Sequence, residues 1–337
     1  MRVNNLIIVL FNLFLITFAS LRLNGQEVEL LHISYDPTRE LFKQYNVLFS
    51  DYYYKNTGIK VNVLQSHGGS GKQARAVIDG LRGHIVSLAL EYDVMIIAEH
   101  GFIKNGWYGG ASGKPSPFYS TIVFMVRNGN PKKIKDWDDL VRNDVAVITP
   151  NPKTSGGARW NFLAAWGFMK IIRGASDSGA EFFIRRLYAN VPVLDTGARG
   201  ATTTFVQRKI GDVYICWENE AWLALKEYGT NELEIVYPSV SILAEPCLAV
   251  VDKNVDRNGK ETRRAAEEYI NYLFSLPAQE IIAKNYYRPS NPEVFKKYPQ
   301  IFPQIRLFTI KEVAGDWKNA QKKFFGEDGI FDRIHRP

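Results

Sequence analysis

The chain has 337 residues, 46% of them hydrophobic and 23% charged, with a formal net charge of +7. This is the composition of one large globular domain or two medium ones with a sizeable core, and it excludes low-complexity and repeat architectures. The basic residues are scattered, without the Lys/Arg run and interleaved aromatics of a nucleic-acid surface, so no nucleic-acid partner is expected.

The chain opens with MRVNNLIIVLFNLFLITFAS, one early Arg followed by a mostly apolar run from Leu6 to Ala19. A bilayer-spanning helix needs roughly 20 apolar residues, so this run is short for a span and fits the apolar region of a secretory signal. Thr17 and Ala19 suit the small positions before a cleavage point. A signal peptide over about residues 1–25 is expected, with an uncleaved anchor as the alternative. No Cys follows it, which argues against a lipid anchor. The remainder has no second long apolar run and is expected to be soluble outside the cytoplasm.

Next, VELLHIS reads as a buried strand and PTRELFKQYNVLFSDYYYKN as a helix with Leu41, Tyr45, Leu48 and Tyr52 on one face. The junction SYDPTRE puts Asp36 at an N-cap and Pro37 at the first helical position. IKVNVLQ is a strand, GKQARAVIDGL a helix and HIVSLAL a strand. Such alternation implies α/β units with parallel strands.

The loop SHGGSGKQAR has the look of a phosphate-binding loop. A nucleotide loop needs G-x-x-x-x-G-K-[ST], however, and here Ser66 replaces the first Gly and Gln73 the Mg²⁺-binding hydroxyl. The G-x-S-x-G hydrolase elbow also fails, because Lys72 follows Gly71. What remains is a small-residue loop between a strand and a helix. The free N–H groups at such a helix start attract an anion without a metal or a lysine.

Around Pro115–Pro117 the texture changes, and STIVFMVRNGNPKKIKDWDDL begins a new run. DVAVITP is a strand, followed by Ser155-Gly156-Gly157 at the start of the helix that holds Trp160. LDTGARGATTTF places Gly197-Ala198-Arg199-Gly200 before another helical pattern. GDVYICW is a strand and NEAWLALKEYG a helix. SILAEPCLAVVDKN is extended, ETRRAAEEYINYLFS is a helix stopped by Pro277, and DWKNAQKKFF is helical. Two lobes with crossovers near residues 118–128 and 238–250 fit this order, and a single larger sheet is the alternative. Four small-residue loops, two from each proposed lobe, lie at the carboxyl ends of strands, where α/β folds hold ligands.

In WENE, Trp217 is either core or an indole donor at a strand end. Glu218 and Glu220 with Asp36 suggest acid–base chemistry, but no spacing ties them together, and they read as solvated or capping carboxylates. Cys216 and Cys247 read as buried free thiols, with a disulfide between them, which export permits, as the alternative. The five histidines, at 32, 67, 84, 100 and 335, form no H-E-x-x-H pattern, and no metal or cofactor is expected.

The chain closely resembles the periplasmic sulfate-binding proteins of ABC importers, together with their thiosulfate-binding relatives. The resemblance runs from about Leu30 almost to the C-terminus. It rests on SYDPTRELF, QSHGGSGKQA, LALEYDV, STIVFMVRNGNPK, VITPNPKTSGGARWNFLAAWG, VLDTGARGATTTF, GDVYICWENEA, SILAEP and AKNYYRP. It implies a type II periplasmic binding protein fold: two α/β lobes, each a mainly parallel sheet flanked by helices, joined by crossover strands. Residues 26–120 with 245–310 would form the first lobe and 121–244 the second, with 311–337 a C-terminal helical segment. It implies sulfate ligands at Asp36 (backbone N–H), Ser70 (backbone N–H), Ser155 (hydroxyl), Gly156 and Gly157 (backbone N–H), Ala198 (backbone N–H) and Trp217 (indole N–H). Lys72 would point away from the ion. The match is looser over Tyr108–Pro117, and Cys216 stands where relatives commonly have a small residue.

The expected function is therefore that of a periplasmic, monomeric, non-enzymatic importer component. It would bind sulfate through neutral donors and deliver it to the membrane permease subunits. The alternatives are a thiosulfate preference, an exported anion sensor, and an exported phosphate-ester hydrolase.

Overall fold

The structure, a computed structural model, describes residues 27–335 except 105, 111 and 112. The expected signal peptide lies outside the described residues.

The chain enters through strand β1 (Glu27–Tyr35), turns through a short 3₁₀ segment, Asp36–Thr38, and continues into helix α1 (Arg39–Thr57). The helix is amphipathic, but its buried stripe is Leu41, Phe42, Tyr45, Phe49 and Tyr53, with Leu48 and Tyr52 on its margin. The expected face is thus rotated slightly, because both spacings fit a 3.6-residue period. Gly58 ends the helix in the left-handed conformation at φ 71°, as glycine does most cheaply. Strand β2 (Lys60–Gly68), helix α2 (Ser70–Ile78), strand β3 (Ile85–Leu88) and helix α3 (Glu91–Glu99) complete the first run. β1 pairs in parallel with both β2 and β3.

The chain then crosses through β4 (Phe118–Tyr119) and β5 (Ile122–Arg127) into a second sheet. There follow β6 (Val147–Ile148), α4 (Gly156–Gly167), α5 (Asp177–Ala189), α6 (Ala198–Thr202), β7 (Val213–Trp217), α7 (Glu218–Tyr228) and β8 (Leu233–Val236). It returns through β9 (Val240–Ile242) and β10 (Cys247–Val250). The first sheet has the order β10-β3-β1-β2 and the second β6-β7-β5-β8.

The first sheet is mainly parallel, with β10 alone antiparallel. The second departs from expectation. Only β6 and β7 run parallel, while β5 is antiparallel to both β7 and β8. Its central strand is the one that arrives from the other lobe, so it enters against the direction of strands that follow helices.

Between the lobes, the two crossings meet at an antiparallel bridge of Ser120 with Ala244. Ser241 Oγ accepts the Ile122 N–H at 3.1 Å and donates to the Ile122 carbonyl at 2.8 Å. Beyond β10, helices α8 (Lys260–Tyr272) and α9 (Leu276–Lys284) lead to β11 (Arg288–Pro289), which pairs with β4, and to β12 (Arg306–Phe308), which pairs with β9. Helix α10 (Trp317–Ala320) and the turns after it pack on the second lobe. There Trp317 meets Trp160, Phe324 meets Trp166, and Phe331 meets Tyr188. Cys216 and Cys247 are buried free thiols, and burial pushes both well above the usual thiol range.

One buried ion pair ties the hinge to the second lobe. Arg288 on β11 grips Glu218, the first residue of α7, through two bonds of 2.6 and 2.8 Å. Tyr237 donates to the same carboxylate at 3.0 Å, and the Pro303 carbonyl accepts from Arg288 at 3.0 Å. Both partners are almost fully buried, so removing one strands the other's charge. Arg288→Met is therefore expected to destabilise the protein by about 3–5 kcal/mol, measured by chemical denaturation, and adding Glu218→Met should recover most of that loss.

Candidate anion-binding site

Four loops converge from the two lobes. Tyr35, Asp36 and Pro37 end β1, and Gly68, Gly69 and Ser70 join β2 to α2. Ser155, Gly156 and Gly157 open α4, and Gly197 and Ala198 open α6. Together with Ala89 they line one small cavity. Six of the seven expected site residues are thus brought together: Asp36, Ser70, Ser155, Gly156, Gly157 and Ala198. The seventh, Trp217, stands beside the lining. Its Nε1 donates to the Gly157 carbonyl at 3.4 Å, and its ring lies 5.5 Å from that of Tyr35. A bond of that length leaves the indole N–H weakly engaged and close to the Gly157 peptide.

The cavity measures about 20 Å³. Drug-sized ligand pockets measure roughly 300–1,000 Å³, so this one suits a compact ion and is too small for a nucleotide. Its lining contains one charged side chain, Asp36, and no Lys or Arg. The Asp36 carboxylate lies 3.6 Å from Arg39. Asp36 is not the N-cap expected from the sequence. Tyr35 takes that position and Asp36 is the first residue of the 3₁₀ turn, because Pro37 fixes the turn one residue later. The shift leaves the Asp36 N–H among the unpaired donors of a helix start.

Each remaining residue is held by local chemistry. Gly69 caps α2, whose first residue is the buried Ser70. The Ser70 hydroxyl donates to Asp93 at 2.5 Å and accepts the Ala89 N–H at 3.0 Å. These two bonds hold the Ser70 side chain against α3 and the end of β3. Asp93 is buried, which raises its carboxyl pKa, and Arg159 lies 4.0 Å away as a partial counterweight. Ser155 caps α4, its Oγ accepting the Ala158 N–H at 3.3 Å. A serine oxygen that accepts from the helix keeps its proton free to donate outward. Lys72 is exposed and absent from the lining, while Gln73 is buried and donates to the Ser34 carbonyl at 3.2 Å.

The lobes meet closely here. The Trp160 indole of α4 donates across the cleft to the Ala89 carbonyl at 2.7 Å, and Arg199 of α6 pairs with Glu40 of α1 at 2.7 Å. A methyl group on Gly69 would lie 2.9 Å from the Thr154 carbonyl oxygen. One on Gly156 would lie 2.9 Å from the Ser70 Cβ and 3.2 Å from the Ala89 Cβ. Sequence reasoning missed Ala89, Asp93 and the bridging role of Trp160. A lone Ala carries no signal, and a Trp within a helix reads as core.

A cleft between two α/β lobes, with helix starts from both sides facing a small cation-free cavity, defines a solute-binding protein of the hinged type. The sequence model for bacterial extracellular solute-binding proteins matches residues 39–288. The chain is 54% identical over 312 residues to the sulfate-binding protein of Escherichia coli K12, covering 93% of this chain and 94% of that protein. It is 44% identical over 309 residues to the thiosulfate-binding protein of Pseudomonas aeruginosa, covering 91% and 92%. Among solved structures, the sulfate-binding protein SubI from Mycobacterium tuberculosis H37Rv matches with a TM-score of 0.77 at 31% identity, covering 89% of this chain and 100% of that one. A ferric binding protein from Campylobacter jejuni, with a TM-score of 0.63 at 14% identity, shares the fold alone. The chain belongs to the bacterial extracellular solute-binding protein family, in its sulfate- and thiosulfate-binding branch.

Closure of the cleft makes a direct prediction. Gly156→Ala should weaken anion binding by about 1–3 kcal/mol, the usual cost of overpacking, because the new methyl wedges the lobes apart. Calorimetric titration measures the loss, and an unchanged circular dichroism spectrum should accompany it.

Proposed function

We propose that the protein captures sulfate in the cavity between its lobes and delivers it to the membrane permease of an ABC importer. The observation that carries this reading is the convergence of neutral donors from both lobes on one compact cavity without a cation in its lining. The proposed ligands are the backbone N–H groups of Asp36, Ser70, Gly156, Gly157 and Ala198, the Ser155 hydroxyl and the Trp217 indole. Helix-start dipoles supply positive potential, and hydrogen bonds to an ion are worth about 1.5–3 kcal/mol each. Neutral donors also avoid the desolvation cost of burying lysines.

The protein acts as a binding component rather than an enzyme on this reading. The failed nucleotide and hydrolase motifs and the solute-binding relatives support that role. Location in the periplasm rests on the N-terminal signal pattern and on family membership. The lobe division near Ser120 and Ala244 is supported by the strands that each sheet contains. A thiosulfate preference is the second reading. It is disfavoured by the lower identity, 44–46%, to relatives named for thiosulfate. A sensor would share the site and differ in its partner, so co-purification with the permease separates the two roles.

Donor chemistry predicts selectivity. Sulfate at neutral pH only accepts hydrogen bonds, whereas phosphate near pH 7 carries at least one proton that needs an acceptor. A buried O–H facing donors costs about 1–3 kcal/mol and also loses a favourable contact. Phosphate should therefore bind at least about a hundredfold more weakly than sulfate, since each 1.4 kcal/mol is a factor of about ten. Parallel titrations at pH 7 test this, and comparable affinities would mean that the cavity offers an acceptor.

Trp217→Phe keeps the ring and removes the indole donor. It should weaken sulfate binding by at least about 1 kcal/mol with the fold intact. Titration of the variant checks it, and parental affinity would return Trp217 to the core.

A further inference from the structure

Glu220 sits on the first turn of α7, three residues beyond Trp217, and is 8% exposed. Its Oε2 accepts the Trp217 backbone N–H at 3.4 Å. Among the described residues it has no ion-pair partner, unlike Glu218 two positions earlier, which Arg288 clamps at 2.6 Å. It also lines an open groove of about 490 Å³ with Pro37, Glu40 and Arg199. Pro37 belongs to the wall of both the groove and the anion cavity. The carboxyl group therefore lies next to the anion site and has a route to solvent.

The charges that face Glu220 come from both lobes. Asp36 and Glu40 oppose its ionisation, while Arg199 favours it. Arg199 is itself held by Glu40 at 2.7 Å. The hydroxyls of Tyr35, Tyr214 and Tyr287 and the Cys216 thiol also face it, all of them buried. Burial outweighs the Trp217 N–H bond and Arg199, and the carboxyl is pushed up to about 8.

We propose that Glu220 carries a proton beside the anion site, that binding the dianion holds this proton in place, and that Glu220 thereby sets the alkaline limit of capture. A protonated carboxyl adds no like charge to the wall of the site, whereas an ionised one does so in a medium that screens poorly. The coupling is reciprocal: bound sulfate raises the proton affinity of Glu220 by the factor by which protonation raises sulfate affinity. More than about a unit below pH 8 the group is protonated and binding is undisturbed. As the pH rises through that value, the free protein loses the proton and affinity falls. This inference rests on the sulfate reading given above.

Calorimetric titration of the protein with sulfate at about pH 6.5 and pH 9.5 tests it, together with titrations near pH 8 in two buffers of different ionisation enthalpy. Affinity should fall about 5–30-fold between the two extremes, because a single proton lost near pH 8 changes affinity by at most about tenfold per pH unit above that value. Near pH 8, binding should take up about half a proton per sulfate. Glu220→Gln, which has the shape of the protonated acid, should lose both the pH dependence and the proton uptake. The uptake is measured on the parent protein, so the test stands even if the variant fails to fold. Equal affinity at both pH values without proton uptake would overturn the proposal and leave the sulfate reading intact. The same pH profile in the parent and in Glu220→Gln would also overturn it, assigning the titration to another group. Absence of sulfate binding at every pH would remove the sulfate reading and this inference together.

Discussion

The structure depends on one constraint: a charged solute taken out of water needs hydrogen-bond donors that arrive already oriented. Backbone N–H groups at helix starts meet that need, because the helix leaves them unpaired by geometry. The starts of α2, α4 and α6 and the 3₁₀ turn after β1 all line one cavity. The sheets place three of those starts, whose loops follow the carboxyl ends of β1, β2 and β6, whereas the Gly197 loop, expected at a strand end, follows helix α5. The hinge then decides whether donors from the two lobes meet.

The supporting polar groups serve this orientation. Ser70, in the cavity lining, is held by Asp93 and by the Ala89 N–H through its hydroxyl. Glu218 and Arg288 fix the beginning of α7, one residue after Trp217, to the hinge strand β11. The indole near the cavity is thereby linked to the strand β11 through its neighbour Glu218. Such a link lets a small rotation at the bridge of Ser120 and Ala244 become a defined displacement at the site.

Much of this was legible in the sequence, for physical reasons. Strand–helix alternation gave the α/β class, and small-residue loops before helices marked where a backbone can approach an ion. Ser155, Gly156 and Gly157 were legible because a Ser followed by two Gly at a helix start serves capping and close approach together. Asp36 was displaced by one position, because Pro37 fits either of the first two places of a helical turn. The antiparallel entry of β5 was not legible, since strand direction depends on a crossing that local pattern does not encode. Asp93 and Ala89 were invisible because their roles come from tertiary neighbours. An acid on an apolar helix face reads as solvent-exposed until the fold encloses it.

The contact of Trp160 with Trp317 bears on the order in which the molecule is built. Trp160 bridges the cleft through Ala89, and its other side is supported by a ring near the end of the chain, 4.7 Å away between centroids. Lys153, two residues before the Ser155 loop, is likewise held by Asp332 at 2.7 Å and by the Phe325 carbonyl at 3.0 Å. Synthesis proceeds from the N-terminus, so these buttresses are the last parts to emerge. A nascent chain has all the donor loops well before it has the braces behind the fourth α-helix. The start of that helix is thus braced by residues far along the chain, so its local rigidity is a property of the whole fold.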